Sequence, residues 1–91
     1  MNVELKGTIK KITGEEKIND KLTKQDVVVT IEKNTQYPQD IICQAINGKM
    51  EKVKNIGVGD DVIVKCNLKG RESAKGFFNR LEIWDIIPNE G

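Results

Sequence analysis

The apolar residues of this chain recur at every second position in several separate segments, and at helical spacing in one short stretch only. Alternation with a period of two is typical of a strand that buries one face. In the opening segment, Val3, Leu5 and Ile9 alternate with polar residues, which predicts a first strand. Gly7 removes a side chain from the middle of this strand, so we expect a sharp bend or a bulge there.

Two more strands are predicted in the first half of the chain. Residues 13–24 are polar and predict a long loop or a hairpin tip. Residues 25–33 read QDVVVTIEK, and their alternation and β-branched side chains predict the second strand. Residues 34–39 predict a turn, in which Pro38 favours extended backbone for the residue before it. Residues 40–46 predict the third strand.

The helical spacing lies between Asn47 and Gly57. Met50 and Val53 are three residues apart, as on one face of a helix. Asparagine is a favourable N-cap residue, and glycine often follows the last turn of a helix. This stretch therefore predicts a short helix of about two turns.

The last third of the chain predicts a hairpin that carries charge and aromatic residues together. Residues 59–60 predict a turn into a fourth strand of alternating apolar and polar residues. A basic loop bounded by Gly70 and Gly76 follows this strand. Residues 77–87 predict the fifth strand, which ends before Pro88 because proline cannot continue a hydrogen-bonded ladder.

The predicted element order is therefore β-β-β-α-β-β. Ninety-one residues suffice for one hydrophobic core, so we expect residues 1–91 to form a single domain. Five strands with a short helix between the third and the fourth are the element order of the OB-fold, a mainly β, five-stranded Greek-key barrel. An SH3-like barrel is the main alternative, but it would not ordinarily place a helix at residues 47–56.

Four segments resemble small bacterial and phage OB-fold proteins that bind single-stranded DNA, and related uncharacterised OB-type domains. They are the opening strand VELKGTIKKI, the dipeptide YP before the third strand, VGDDVIV at the start of the fourth, and the closing GRESAKGFFNRLEIWDI. They are spread along the chain from Val3 to Ile86. The resemblance implies a module that binds single-stranded DNA, often as an oligomer.

An OB-fold presents its binding surface on strands two and three, between the loop joining strands one and two and the loop joining strands four and five. Single-stranded nucleic acid is held there by cations along its backbone and by aromatic faces that stack on its bases. The net charge of the chain is only +1, but residues 65–80 contain five basic residues and one acidic residue. We expect the nucleic-acid-binding residues to be Lys33, Tyr37, Lys65, Lys69, Arg71, Lys75, Phe78, Arg80 and Trp84. The alternative is an ordinary solvated strand face, whose lysines discourage aggregation.

Adjacent residues on a strand face opposite sides, so only one of Phe77 and Phe78 can enter the core. If Leu81 and Ile83 point inward, Phe77 shares their phase, and Phe78 lies outside with Trp84. Phe78 and Trp84 are then the expected stacking residues, although a bulge would exchange the assignment. A single tryptophan in a small barrel lies in a core or an interface as often as on a ligand surface.

Catalysis and metal binding have little support in the sequence. The chain has no histidine, and Cys43 and Cys66 lack the spacing of a metal site, so we expect no metal, no cofactor and no enzymatic activity. We expect both cysteines to be buried in the core as free thiols, as in proteins of the reducing cytoplasm. A disulfide between neighbouring strands is the alternative. No apolar run approaches the roughly 18 residues of a membrane span, so a cytoplasmic protein without membrane contact is expected.

The leading hypothesis is therefore sequence-nonspecific binding of single-stranded DNA by a non-enzymatic, homo-oligomeric protein of a bacterium or phage. An OB-type protein-interaction module within a larger assembly is the alternative. RNA binding is a third possibility, since the same residue types contact both nucleic acids.

Overall fold

The computed structural model describes residues 1–31 and 35–89. Six strands and one helix follow one another in this part of the chain, in the order β1 (Asn2–Ile12), β2 (Glu16–Asn19), β3 (Leu22–Ile31), β4 (Gln39–Ile46), α1 (Met50–Val53), β5 (Asp61–Ser73) and β6 (Gly76–Pro88). A 3-10 turn, Asn47–Lys49, leads into α1.

Five of the strands close into a ring. β1 pairs antiparallel with β3 and with β5, β3 pairs with β4, and β5 pairs with β6. A parallel pairing between Gln44 of β4 and Glu82 of β6 completes the circle. The predicted mainly β, five-stranded OB-fold barrel is therefore confirmed. β2 pairs with β3 outside the ring.

Apolar residues from all five strands of the ring, most of them valine or isoleucine, fill the barrel. The buried residues of the core are Ile9, Val27, Val29, Cys43, Ala45, Val53, Val62, Val64, Cys66, Ile83 and Ile86. On β3, β4 and β5 they occupy every second position, as the alternation of the sequence predicts. The helix α1 contributes Val53 to the same core.

Cys43 and Cys66 are fully buried in this core as free thiols. A hydrogen bond between the two thiols, together with burial, raises the pKa of Cys43 far above its usual range. The prediction that both pack as small apolar residues is confirmed. The cellular compartment stays a prediction.

Gly7 is where β1 passes between the two halves of the barrel, because it pairs with β5 on one side and with β3 on the other. A Cβ atom at this position would collide with the backbone carbonyl oxygen of Thr30. The register shift of β1 lies between Ile9 and Lys11, so the bulge predicted at Gly7 is misplaced. Glycine is required here for the close approach of β3.

Of the two alternatives predicted for residues 13–24, a long loop or a hairpin tip, the structure has the hairpin. β2 pairs with the start of β3, and β3 begins at Leu22 rather than at residue 25. All four residues of β2 are exposed. A strand without a buried face has no alternation to detect, which is why the polar composition concealed it.

The helical segment is shorter than the predicted two turns, since α1 contains four residues. Asn47 does not cap it. The Asn47 backbone has a φ of 50°, its Oδ1 accepts a hydrogen bond from the backbone N–H of Thr23 at 2.9 Å, and its Nδ2 donates to the carbonyl of Lys21 at 3.2 Å. This asparagine therefore joins the start of the helical segment to the β2–β3 hairpin.

The predicted basic loop between Gly70 and Gly76 is mostly strand. The β5–β6 ladder continues until Ser73 lies opposite Gly76, which has a φ of 127° in the region that favours glycine. The pairing of β5 with β1 ends at Asn67, so the end of this hairpin extends beyond the barrel. The prediction that Phe77 enters the core is wrong for this reason: its side chain is 79% exposed.

A polar cluster joins three strands on the outside of the barrel. Asp40 on β4 accepts hydrogen bonds from Lys10 Nζ on β1 and from Thr30 Oγ1 on β3, each at 2.7 Å. The bonds from Lys10 and Thr30 hold the pKa of the Asp40 carboxyl below its usual range.

Candidate nucleic-acid interface

A groove of about 590 Å³ lies on the outside of the barrel wall, between the two hairpins, and is called the outer groove below. Lys24 of β3 and Gln44 and Ile46 of β4 line its middle. On β4, Gln44 and Ile46 alternate with the buried Cys43 and Ala45. On β3, Lys24 is out of phase with the buried residues of that strand. The side chains of all three therefore point away from the core.

The two hairpins form the sides of the outer groove. Ile18 and Leu22 line it from the β2–β3 hairpin. The β5–β6 hairpin contributes the opposite side, consisting of Lys69, Gly70, Arg71, Phe78, Asn79 and Arg80. This arrangement is the predicted OB-fold surface, formed by the second and third strands of the fold together with the segments that join strands one and two and strands four and five.

The structure brings four of the predicted binding residues together in the outer groove: Lys69, Arg71, Phe78 and Arg80. Lys75 lies in the turn at the tip of the same hairpin. The exposed Tyr37 lies in the segment before β4 and does not line the groove. Lys33 falls outside the described residues. Binding of nucleic acid by any of these residues stays a prediction.

Trp84 and Lys65 contact each other and are not among the residues that line the groove. The ladder pairs Cys66 with Ile83 and Lys65 with Asp85, which leaves Trp84 as the extra residue of a β-bulge. The Lys65 ammonium lies 5.5 Å from the centroid of the indole ring, a cation–π contact. Trp84 is 37% exposed, so this contact covers part of the surface that base stacking would need.

Carboxylates oppose most of the cations in the outer groove. Glu82 Oε2 lies 3.2 Å from Lys69 Nζ and 3.1 Å from Arg80 Nη2. Lys24 Nζ lies 3.7 Å from Asp26 Oδ1.

Of the four cations that line the groove, three therefore have a carboxylate partner within 4 Å. Arg71 is the fourth, and it forms no ion pair with any described residue; the same holds for Lys75 at the tip. The free positive charge of this surface is smaller than the sequence count indicates.

Sequence reasoning did not identify the groove residues that come from the first half of the chain, namely Ile18, Leu22, Lys24, Gln44 and Ile46. The first three lie in the segment interpreted as a loop, and no local pattern marks them. Glu82 as an ion-pair partner was also missed. The ion pair with Arg80 could have been predicted from the sequence, because Glu82 is two residues from Arg80 and so lies on the same face of the strand.

Within residues 1–31 and 35–89, no helix is long and apolar enough to cross a membrane. The same part of the chain contains no group of three or more side chains placed to hold a metal ion.

Barrel and groove together define the class: a small mainly β domain of the OB type, with a groove on its outer surface between two hairpins. The chain belongs to the family described as Domain of unknown function (DUF3127), whose model matches residues 4–87. A search of curated proteins finds no match.

Proposed function

We propose that this chain is a non-enzymatic OB-fold domain that binds single-stranded DNA in the outer groove with little sequence preference. One observation supports the proposal most strongly: Phe78, which is 51% exposed, lies among Lys69, Arg71 and Arg80 in a single groove. Single-stranded nucleic acid needs this combination of an aromatic face for a base and cations for the backbone.

In the proposed complex the DNA strand crosses the β5–β6 hairpin. Arg71 lies directly opposite Phe78 in the ladder, so a base stacked on Phe78 would leave its phosphate within reach of the Arg71 guanidinium. Lys75 at the tip extends the line of cations. These contacts read the backbone and the ring face, and they carry no sequence information.

The proposal includes a homo-oligomer, as the resemblance to OB-fold DNA-binding proteins implies. It also includes RNA as a second ligand. Neither the ring face of Phe78 nor the cations distinguish deoxyribose from ribose, because a protein separates the two through contacts to the 2′-hydroxyl. Competition of unlabelled RNA against labelled DNA would measure this preference.

The first test is a fluorescence titration of labelled oligothymidylate at low and at moderate salt. We expect binding at micromolar protein in low salt, and a logarithm of the binding constant that falls linearly with the logarithm of salt concentration. Absence of binding at micromolar protein in low salt would reject the proposal.

The two adjacent phenylalanines provide a matched pair for base stacking. Phe78→Leu is expected to weaken oligothymidylate binding by about 1 kcal/mol or more, because leucine keeps apolar bulk but loses the ring face. Phe77→Leu is the control, since Phe77 points to the opposite face of the same hairpin and does not line the groove. Equal losses of affinity in the two variants would show that Phe78 stacks on no base.

A protein-interaction module is the second candidate function, and one observation favours it. Phe77 is 79% exposed outside the groove, where DNA bound as proposed would not cover it. An exposed phenylalanine on a protruding hairpin is a suitable anchor for a protein partner. Failure to bind oligonucleotides would favour this function over DNA binding. A Trp84 fluorescence that changes with protein concentration would instead indicate an interface between copies of this chain.

A further inference from the structure

We propose that Glu82 is an internal competitor of the DNA phosphate. In the free protein Glu82 forms ion pairs with Lys69 and Arg80. These ion pairs break when single-stranded DNA enters the outer groove, and their loss lowers the affinity of the site for DNA. This inference rests on the proposed function and adds a residue that limits binding.

The geometry places one carboxylate oxygen between two cations of the groove. Glu82 Oε2 is 3.1 Å from Arg80 Nη2 and 3.2 Å from Lys69 Nζ, and the Glu82 side chain is only 19% exposed. Because water reaches this oxygen poorly, salt screens the two contacts less than it screens pairs at the open surface. On binding, a phosphate oxygen would replace Glu82 Oε2 as the ion-pair partner of the same two cations.

The cations can leave Glu82 more easily than Glu82 can leave them. Glu82 lies at the closure of the barrel, where its backbone is paired with Asn67 on one side and with Gln44 on the other. Lys69 and Arg80 carry long side chains that are about half-exposed. Their charged ends can therefore turn toward a phosphate while the carboxylate stays in place.

The carboxylate oxygen is also poorly satisfied by the protein itself. Within the described ranges, no group forms a hydrogen bond of good geometry with Glu82 Oε2, so its interactions are the two ion pairs alone. A buried acceptor without hydrogen bonds is costly. In the free protein, Lys69 and Arg80 therefore neutralise the charge of Glu82. DNA binding has to offset the free energy that is lost when these two ion pairs break.

The test compares Glu82→Gln with Glu72→Gln by titration of labelled oligothymidylate. Glutamine keeps the shape of the side chain and removes its charge in both variants. Glu72 lies on the same hairpin, is exposed, and forms no ion pair with a described residue, so it matches the change in net charge without releasing a cation. Both proteins are first compared with the wild type by circular dichroism.

We expect Glu82→Gln to bind about three- to tenfold more tightly than Glu72→Gln at low salt, the effect of releasing two partly exposed ion pairs. Its salt dependence should stay close to that of Glu72→Gln, because Lys69 and Arg80 neutralise the same phosphates in both complexes. The increase in affinity should be equal for oligothymidylate and oligodeoxycytidylate, because an ion pair with a phosphate does not depend on the base.

Equal affinities of the two variants would overturn the inference. A loss of affinity in Glu82→Gln that is confined to oligodeoxycytidylate would also overturn it, because Glu82 would then accept a hydrogen bond from the cytosine amino group. If neither variant nor the wild type binds DNA, the proposed function itself is rejected, and the inference falls with it.

A second measurement uses the wild-type protein and does not depend on the folding of a variant. The carboxyl ¹³C resonance of Glu82 should move when oligothymidylate is added, because the carboxylate loses its two cations. Glu51 in α1 is the internal control, since it lies outside the groove. A Glu82 resonance that stays fixed while the protein becomes saturated with DNA would contradict the proposal.

Discussion

The double variant Arg71→Ala/Lys75→Ala is expected to bind oligothymidylate about ten- to a hundredfold more weakly than the wild type at low salt, because two cations no longer neutralise phosphates. Among the cations in the groove and at the tip of the β5–β6 hairpin, Arg71 and Lys75 are those that no described carboxylate opposes. The logarithmic dependence of binding on salt should become shallower by about 1.4, or 0.7 for each phosphate. Fluorescence titrations at three or more salt concentrations measure both quantities.

The control for this variant is Lys49→Ala/Lys54→Ala, which removes the same charge from two exposed lysines of the helical segment, outside the groove. A general effect of net charge would lower affinity and slope equally in both double variants. A wild-type slope in Arg71→Ala/Lys75→Ala would show that these residues contact no phosphate. All four substituted residues are exposed, so the midpoint of thermal unfolding should be nearly unchanged in both double variants.

The variant Gly7→Ala is expected to lower the free energy of unfolding by about 2–3 kcal/mol, as for other overpacked sites. The added methyl group would meet the backbone oxygen of Thr30, and it would also contact Val29 Cγ1 in the core at 2.9 Å. A backbone carbonyl within a ladder cannot turn aside as a flexible side chain can. β1 and β3 would have to separate, and that pairing is part of the closed ring. Urea denaturation monitored by circular dichroism measures the change.

Gly14→Ala is the matched control, because nothing lies within 4 Å of the position that its Cβ would take. This residue precedes β2 and is exposed. We expect a change within about 0.5 kcal/mol, as is usual for surface positions. Equal stabilities of the two variants would mean that β1 can shift away from β3 at no cost, contrary to the close approach in the structure.

The sequence predicted the elements with a buried face well and those without one poorly. β1, β3, β4 and β5 each carry alternating apolar residues and were recognised from them. β2 has four exposed residues, and its segment was predicted only as a long loop or a hairpin tip, without a strand of its own. The outer half of the β5–β6 hairpin was misread in the same way, because polar residues and Gly70 conceal a ladder that continues to Ser73.

The residues of the candidate site were likewise predicted correctly only in part. Lys69, Arg71, Phe78 and Arg80 were identified because charge and an aromatic residue lie close together in the chain. Trp84 and Lys65 share the hairpin but not the groove, since a bulge changes the phase of β6 at Trp84. A bulge depends on the partner strand and leaves no mark in the alternation of a single segment.

By itself, the sequence determined which segments form strands with a buried face, their order along the chain, and the OB-fold that this order defines. Those properties depend on the period of neighbouring side chains, which is local. The tertiary structure decided that Glu82 meets Lys69 and Arg80, that Gly7 must lack a side chain, and that the β2–β3 hairpin faces Phe78 across a groove. These contacts join segments distant in sequence, and only strand register and the closing of the barrel fix which residues come together.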